Sequence, residues 1–227
     1  MDNLLKKIRE KNMVINSSTV SDVMDSMNLY GVLNHKLKRL SGNNKTIIGY
    51  AYTVDWKPVR KSSNIMSSQP STWEQVKGFL VPEIDNGIGK IYVSGAGSLL
   101  TSAALAGGMS STYFENLGFE GMVLGGATRD ANELCKLDIP VVATNYIPTD
   151  TQGSYFVSDT GSYTTIEDIR IVTGDIIISD LTGTVCIPSK HARGILTRSM
   201  EIDLIENDMH GSLSNNLVHL IESNGRI

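Results

Sequence analysis

The sequence predicts an α/β protein with a mixed, two-sheet organisation, read as one unit over residues 1–227. Three observations carry that prediction. Between residues 90 and 143, short apolar runs alternate with helical patterns, which implies parallel crossovers. The stretch "IRIVTGDIIISDLTGTVCIP" then reads as three short strands broken by hairpin-like turns, a second and antiparallel element. No internal repeat, low-complexity tract or clean linker divides the chain, and 227 residues suffice for one substantial core.

In chain order, "DNLLKKIREK" suits a short amphipathic helix. "INSSTVSDVMDSMNLYG" suits a second, with a Ser or Thr cap near residues 17–19, Asp22 in or near its first turn and Gly31 after its end. "KTIIGYAYTVDW" is β-branched and aromatic, so it reads as a strand, and Gly49 within it marks a bend or a close backbone approach. Residues 57–71 are polar and weakly patterned, which predicts a loop or insertion, and a helix is predicted from about Thr72 to Glu83. "GKIYVSGAG" is a buried strand running into glycines. "SLLTSAALAGG" reads as a small-residue helix or turn, and "MSSTYFENLG" as a helix closed by Gly118. "FEGMVLGGATRD" is again a strand followed by glycines. "ANELCKLDIPVVAT" gives a helix and a strand, and "SKHARGILTRSMEIDLIEND" returns to helix.

Composition narrows the function. With 20 basic and 24 acidic residues the formal charge is −4, and no Lys/Arg block offers a nucleic-acid footprint. The densest basic cluster, "HKLKRL" (35–40), reads as a solvated face. No run approaches the 18 apolar residues of a membrane span, and the N-terminal segment lacks the pattern of a signal peptide. A cytoplasmic protein is therefore expected, with Cys135 and Cys186 as buried free thiols; a single disulfide is the alternative. "SGAGSLL" has Leu100 where a dinucleotide fingerprint needs its third glycine, and no acidic residue follows at the right distance, so nicotinamide binding is rejected. The four histidines lack zinc spacing, and His191 reads as a surface residue. No Gly-x-Ser-x-Gly elbow supports a serine hydrolase.

Two segments carry chemistry. "AGGMSSTYFENLG" opens a helix with Gly107 and Gly108. Helix N-termini present unpaired amides to anions, although a tight helix–helix turn accounts for the segment by itself. "GGATRD" (125–130) follows a buried strand, at the carboxyl end where sites of parallel sheets lie. Arg129 can grip a carboxylate in two parallel hydrogen bonds, and a lone Asp with several waters is a usual holder of Mg²⁺. A 2-oxo acid needs both. An Arg-Asp pair in which Asp130 caps the next helix fits the same spacing.

At these residues the chain resembles the RraA-like family, which includes class II pyruvate aldolases such as 4-hydroxy-4-methyl-2-oxoglutarate aldolase. The resemblance rests on four ordered motifs, "STVSDVMDSMNLYGVL", "IIGYAYTV", "ALAGGMSSTYFENLGFEGMVLGGATRD" and "TGDIIISDLTGTVCIP". It implies a swivelling β/β/α, phosphohistidine-domain-like fold with a central mixed or parallel sheet. It also implies a homotrimer or a hexamer of two trimers, with sites at subunit interfaces. The implied activity is a metal-dependent lyase on a pyruvyl-containing 2-oxo acid, by retro-aldol cleavage or oxaloacetate decarboxylation through a shared enolate.

Carried over by position, Arg129 binds the carboxylate and enolate, and Asp130 is the direct protein ligand of Mg²⁺ or Mn²⁺. The backbone around Gly107, Gly108, Met109 and Ser110 cradles the carboxylate. Glu206 of a neighbouring subunit, or alternatively Glu201, approaches the metal's waters. The implied partners are a small-molecule carboxylic acid and further copies of the chain, with neither nucleic acid nor membrane. One position departs: the aldolases carry an Asp or Glu twenty-one residues before the Arg, to order waters and proton transfers, and here that residue is Gly108. The resemblance therefore leaves two alternatives: a non-catalytic regulator of a ribonuclease, like the family's namesake, or a specialised enzyme acting on another acid. The family has also been labelled menaquinone methyltransferase, but the chain has no glycine-rich nucleotide loop followed by an acid.

Overall fold

A computed structural model describes residues 2–10, 15–59 and 85–212, with Ser67, Gln69, Ser71 and Glu74 between them. Its architecture follows from one long strand, β2 (Ile47–Pro58), the β-branched and aromatic run recognised in the sequence. One edge of β2 pairs in parallel with β3 (Lys90–Gly95). Its other edge is shared. Residues 47–50 pair with β11 (Ile176–Ser179) and residues 54–58 with β8 (Tyr155–Thr160), both antiparallel, with a register shift between Asp55 and Trp56. Beyond β3 lie β5 (Gly121–Leu124) and β7 (Val141–Ala143), both parallel. β1 (Lys38–Ser41) closes that side and β12 (Thr184–Ile187) the other. The predicted parallel crossovers are thus present. A second antiparallel pair, β9 (Tyr163–Ile166) with β10 (Ile169–Val172), and a parallel pair, β4 (Leu100–Ala106) with β6 (Gly126–Thr128), lie outside the eight-stranded sheet.

Side-chain alternation along β2 distributes the core. Ile48 packs with α1 (Asp2–Glu10), α2 (Ser17–Ser26) and α5 (Ser189–Ser212). Tyr52, Val54 and Trp56 lie in the cluster of Phe114 from α3 (Gly108–Asn116) and Leu134 from α4 (Ala131–Leu134). Ile47 and Ala51 face the opposite way, beneath Ile166, Ile169 and Ile171 of the β9–β10 pair. Each large apolar side chain so buried contributes about 1.5–3 kcal/mol. Gly49 is a close approach as expected, since a Cβ there would lie 2.8 Å from the Gly89 carbonyl oxygen.

Several sequence expectations are corrected. "SLLTSAALAGG" is strand β4, not a helix or turn: pairing with β6 and hydrogen bonds to the Gly125 and Thr149 carbonyls override the helix preference of Leu and Ala. β10 turns to β9 instead of forming a hairpin with β11, so "TGD" joins two sheets, whereas "DLTG" does close the β11–β12 hairpin. The cap of α2 is Asn16, whose side chain accepts from the Thr19 amide. The helix ends at Ser26, so Asp22 lies past the first turn and Gly31 well beyond the end. Cys135 and Cys186 are both free, but Cys135 is exposed. Within the basic cluster Arg39 is not solvated; it donates to the carbonyls of Asn43, Lys45 and Ser179, and burial lowers its pKa. His191 is half-buried near the start of α5. The predicted loop beyond Val59 and the predicted helix from 72 to 83 lie essentially outside the described residues.

Two carboxylates fasten α2 to the rest of the chain. Asp203 of α5, 2% exposed, accepts from Thr19 Oγ1 at 2.6 Å and Asn16 Nδ2 at 2.8 Å. Asp180, in the β11–β12 turn, accepts from the Ser17 amide at 2.7 Å, Ser17 Oγ at 2.8 Å and the amides of Thr182 and Gly183. Burial is the largest influence on the Asp180 carboxyl and pushes its pKa up, but these donors together hold it below the ordinary value. A depressed pKa means stability that is present above the unfolded-state value, about 3.9, and lost as pH falls through the folded-state one. Asp180→Asn should therefore destabilise the protein by roughly 1–2 kcal/mol at neutral pH. In urea unfolding across a pH series, the gap to wild type should close in acid; a gap that stays constant with pH would contradict this account.

Candidate active site

β4 and β6 run parallel and end together, with Ala106 opposite Thr128. β6 is held on both sides: Thr128 Oγ1 donates to the Ala106 carbonyl at 3.0 Å, and the Thr128 amide to the Asn145 carbonyl at 2.9 Å. Thr128 is fully buried, so the residue after it emerges at a fixed point, and the Arg129 amide donates back to Ala106 at 3.1 Å. Gly107 and Gly108 leave β4 at the same end and start α3. The carboxyl-end placement read from the sequence thus holds, though in the small parallel pair rather than the main sheet. The structure brings Gly107, Gly108, Arg129 and Asp130 together.

Asp130 decides between the two readings of the Arg-Asp pair. It does occupy the N-cap position of α4, but its side chain makes no capping hydrogen bond. Its backbone is left-handed (φ 61°, ψ 47°), a strained region that costs about 1 kcal/mol or more for a residue with a side chain. That turn directs the carboxylate to the Gly108 amide, which donates to Oδ2 at 3.0 Å. A Cβ on Gly107 would overlap Asp130 Oδ2 and sit 2.9 Å from Arg129 Cγ, so this contact requires the glycine.

Arg129 lies between two acids, its Nε 3.4 Å from Asp130 Oδ2 and its Nη1 3.5 Å from Asp150 Oδ2. Both distances exceed a good hydrogen bond, and about a third of the Arg129 side chain is exposed, which leaves the guanidinium able to take a ligand carboxylate. The expected amide cradle is partly committed. The Gly107 amide donates to Ser110 Oγ at 2.8 Å, and the Gly108 amide serves Asp130. Met109 and Ser110 amides lie in the first turn of α3, without a helical or other described backbone partner. Met109 itself is 68% exposed, and the Ser111 hydroxyl is buried without a partner among the described residues.

Asp150 and Glu133 were not singled out in the sequence. Asp150 lies twenty-one residues from Arg129 with no motif around it, and only the fold brings the two together. Glu206 sits half-buried on α5, which packs on α2 and β12 in a different apolar cluster from α3 and α4, so one chain does not bring it to Arg129. Glu201 pairs instead with Arg198 Nη1 at 3.3 Å. Among the described residues, no helix is long and apolar enough to cross a membrane.

Comparison with known proteins agrees with the fold. The family model described as RraA-like, Aldolase/RraA, matches residues 18–186. The Legionella pneumophila protein DlpA is 28% identical over 206 residues, 91% of this chain; the chain spans only 31% of the length of that curated relative. An uncharacterised Pseudomonas syringae protein superposes with a TM-score of 0.76 at 18% identity over 97% of both chains. Streptomyces coelicolor RraAS2, titled an unusual member of the RNase ES inhibitor RraA protein family, superposes with a TM-score of 0.73 at 21% identity, over 92% of this chain and 98% of its own. These structural likenesses establish the fold.

The unused cap yields a test. Gly107→Ala should destabilise by about 1–3 kcal/mol in urea unfolding, through overlap with Arg129 and with the diverted Asp130 carboxylate. A carboxylate that capped its own helix would be turned away from Gly107, so a Gly107→Ala protein as stable as wild type would restore the capping reading.

Proposed function

The chain belongs to the RraA-like family, and from that premise we propose that it is a divalent-metal-dependent lyase. Its substrate would be a pyruvyl-containing 2-oxo acid, cleaved by retro-aldol reaction or, with oxaloacetate, by decarboxylation. The observation that carries this reading is the diversion of Asp130 from its cap to a glycine cradle beside Arg129. The residues suit Mg²⁺ or Mn²⁺: a carboxylate fixed by a backbone amide and packed against glycines whose Cβ atoms would overlap acidic side chains. When bound, such an ion polarises the keto oxygen and stabilises charge developing there.

The chain's own residues supply the rest. Arg129 takes the carboxylate next to the keto group, and the free first-turn amides of α3 complete the anion site. In both reactions the C3–C4 bond breaks and its electron pair passes into the pyruvyl enolate. The C4 fragment leaves as a carbonyl compound after loss of its hydroxyl proton, or as CO₂, and C3 then takes up a proton. Because the enolate is common, a site that stabilises its charge serves both reactions. A trimer or hexamer would add Glu206 of a neighbouring subunit to this site.

Gly108 favours a second reading, a non-catalytic regulator acting by protein contact. Retention of both Arg129 and Asp130 weighs against it. Pyruvate release from oxaloacetate and from 4-hydroxy-4-methyl-2-oxoglutarate separates the two, measured with Mg²⁺, with EDTA, and in Arg129→Ala as the blank for spontaneous loss of CO₂. The lyase reading expects metal-dependent release that falls about 100- to 1,000-fold in Arg129→Ala. No release above the blank on either acid, together with a stable complex with a protein partner, would favour the regulator.

A further inference from the structure

We propose that Asp150 is a positioning residue for Arg129: together with Asp130 it sets the direction of the guanidinium and leaves Nη2 to the substrate carboxylate. The inference rests on the lyase reading for what Arg129 binds, but its evidence is separate. The segment after β7 is tied by backbone hydrogen bonds to both strands of the site. The Thr128 amide of β6 donates to the Asn145 carbonyl and the Ile147 amide to the Thr128 carbonyl, each at 2.9 Å. The Ala104 amide of β4 donates to the Thr149 carbonyl, also at 2.9 Å. Asp150 follows Thr149 directly, and Arg129 follows Thr128, so the same ladder fixes where the two residues stand relative to each other.

The Asp150 carboxylate does not depend on Arg129 for its place. Its Oδ1 accepts from the Thr151 amide at 2.7 Å and from Thr151 Oγ1 at 3.3 Å. Thr151 is buried, and its carbonyl takes the amides of Ser154 and Tyr155. Asp150 has a further partner besides these. Its other oxygen, Oδ2, lies 3.5 Å from Arg129 Nη1. Asp130 is likewise held from outside, by the Gly108 amide, and its Oδ2 lies 3.4 Å from Arg129 Nε. Two anchored carboxylates therefore meet two different nitrogens of one planar group, which restricts its rotation on the flexible stem. Arg129 Nη2 makes no hydrogen bond among the described residues. With about a third of each side chain exposed, the Arg129–Asp150 pair adds little to stability, so its consequence is direction. As a bare charge, Asp150 would repel an incoming acid; as a positioning residue it favours one. The two roles predict effects of opposite sign.

The test is titration of the full chain with ¹³C-labelled pyruvate, followed by NMR in the presence of Mg²⁺, with circular dichroism confirming that each variant is folded. Asp150→Asn should weaken pyruvate binding about five- to tenfold, Asp150→Ala at least as much, and the KM for oxaloacetate should rise by a like factor. In an Arg129→Lys background, whose ammonium has no fork to orient, Asp150→Asn should not weaken binding further. Binding by Asp150→Asn that is tighter than wild type or within about twofold of it would overturn the inference, and so would an equal loss in the Arg129→Lys background. Failure of the underlying reading looks different. Pyruvate binding with the expected losses, but no release by wild type above the Arg129→Ala blank, would sink the lyase and leave the Asp150 assignment standing. Normal release with KM and affinity unchanged in Asp150→Asn would do the reverse. A wild type that neither binds nor releases pyruvate would overturn both.

Discussion

The hydrogen bond from the Gly108 amide to the Asp130 carboxylate is the constraint from which the site follows. To make it, Asp130 adopts a left-handed backbone and gives up the capping bond of its own helix. Gly107 must lack a Cβ, because the same space holds Asp130 Oδ2 and the Arg129 stem. Gly108 and Asp130 are 22 residues apart in the chain, and they meet through β4 and β6, whose parallel pairing brings Ala106 and Thr128 level. Strain at Asp130 survives because burial of Thr128 and the hydrogen bonds around it over-determine the backbone.

The larger fold explains why that small pair of strands can be held so firmly. β2 offers one edge to the parallel strands and divides the other between β11 and β8. The helices of the two chain ends can therefore pack on one part of the sheet while α3 and α4 pack on another. The site elements share their apolar cluster with Tyr92 and Phe119 but not with α5, so changes in the C-terminal helix reach Arg129 only indirectly within one chain.

The parts legible in the sequence are those where local preference and tertiary role agree. "IIGYAYTVDW", "GKIYV" and "EGMVL" are strands by composition and strands in the sheet. β4 was illegible because Leu-Thr-Ser-Ala-Ala-Leu-Ala favours helix locally and is a strand only through its partner β6. Missing it also hid that Gly107 and Gly108 lie at a strand's carboxyl end. Arg129 and Asp130 are visible as residue types, but capping and ligand holding share one spacing, and only the fold shows that the Asp130 carboxylate makes no cap bond and turns to Gly108.

Charge constrains what this site can accept. Arg129 alone would attract any small carboxylate, but Asp130 and Asp150 already flank it, and Glu133 stands on the adjoining glycine. The two flanking carboxylates offset part of the attraction Arg129 offers an approaching acid. In the proposed function a divalent cation at Asp130 would add positive charge there, and a 2-oxo acid, with a keto oxygen beside its carboxylate, would approach the cation and Arg129 together. A simple carboxylate satisfies Arg129 but offers the cation nothing further. Under the proposed function, selectivity for a 2-oxo acid would come from pairing a cation at Asp130 with Arg129, before any contact with the remainder of the substrate.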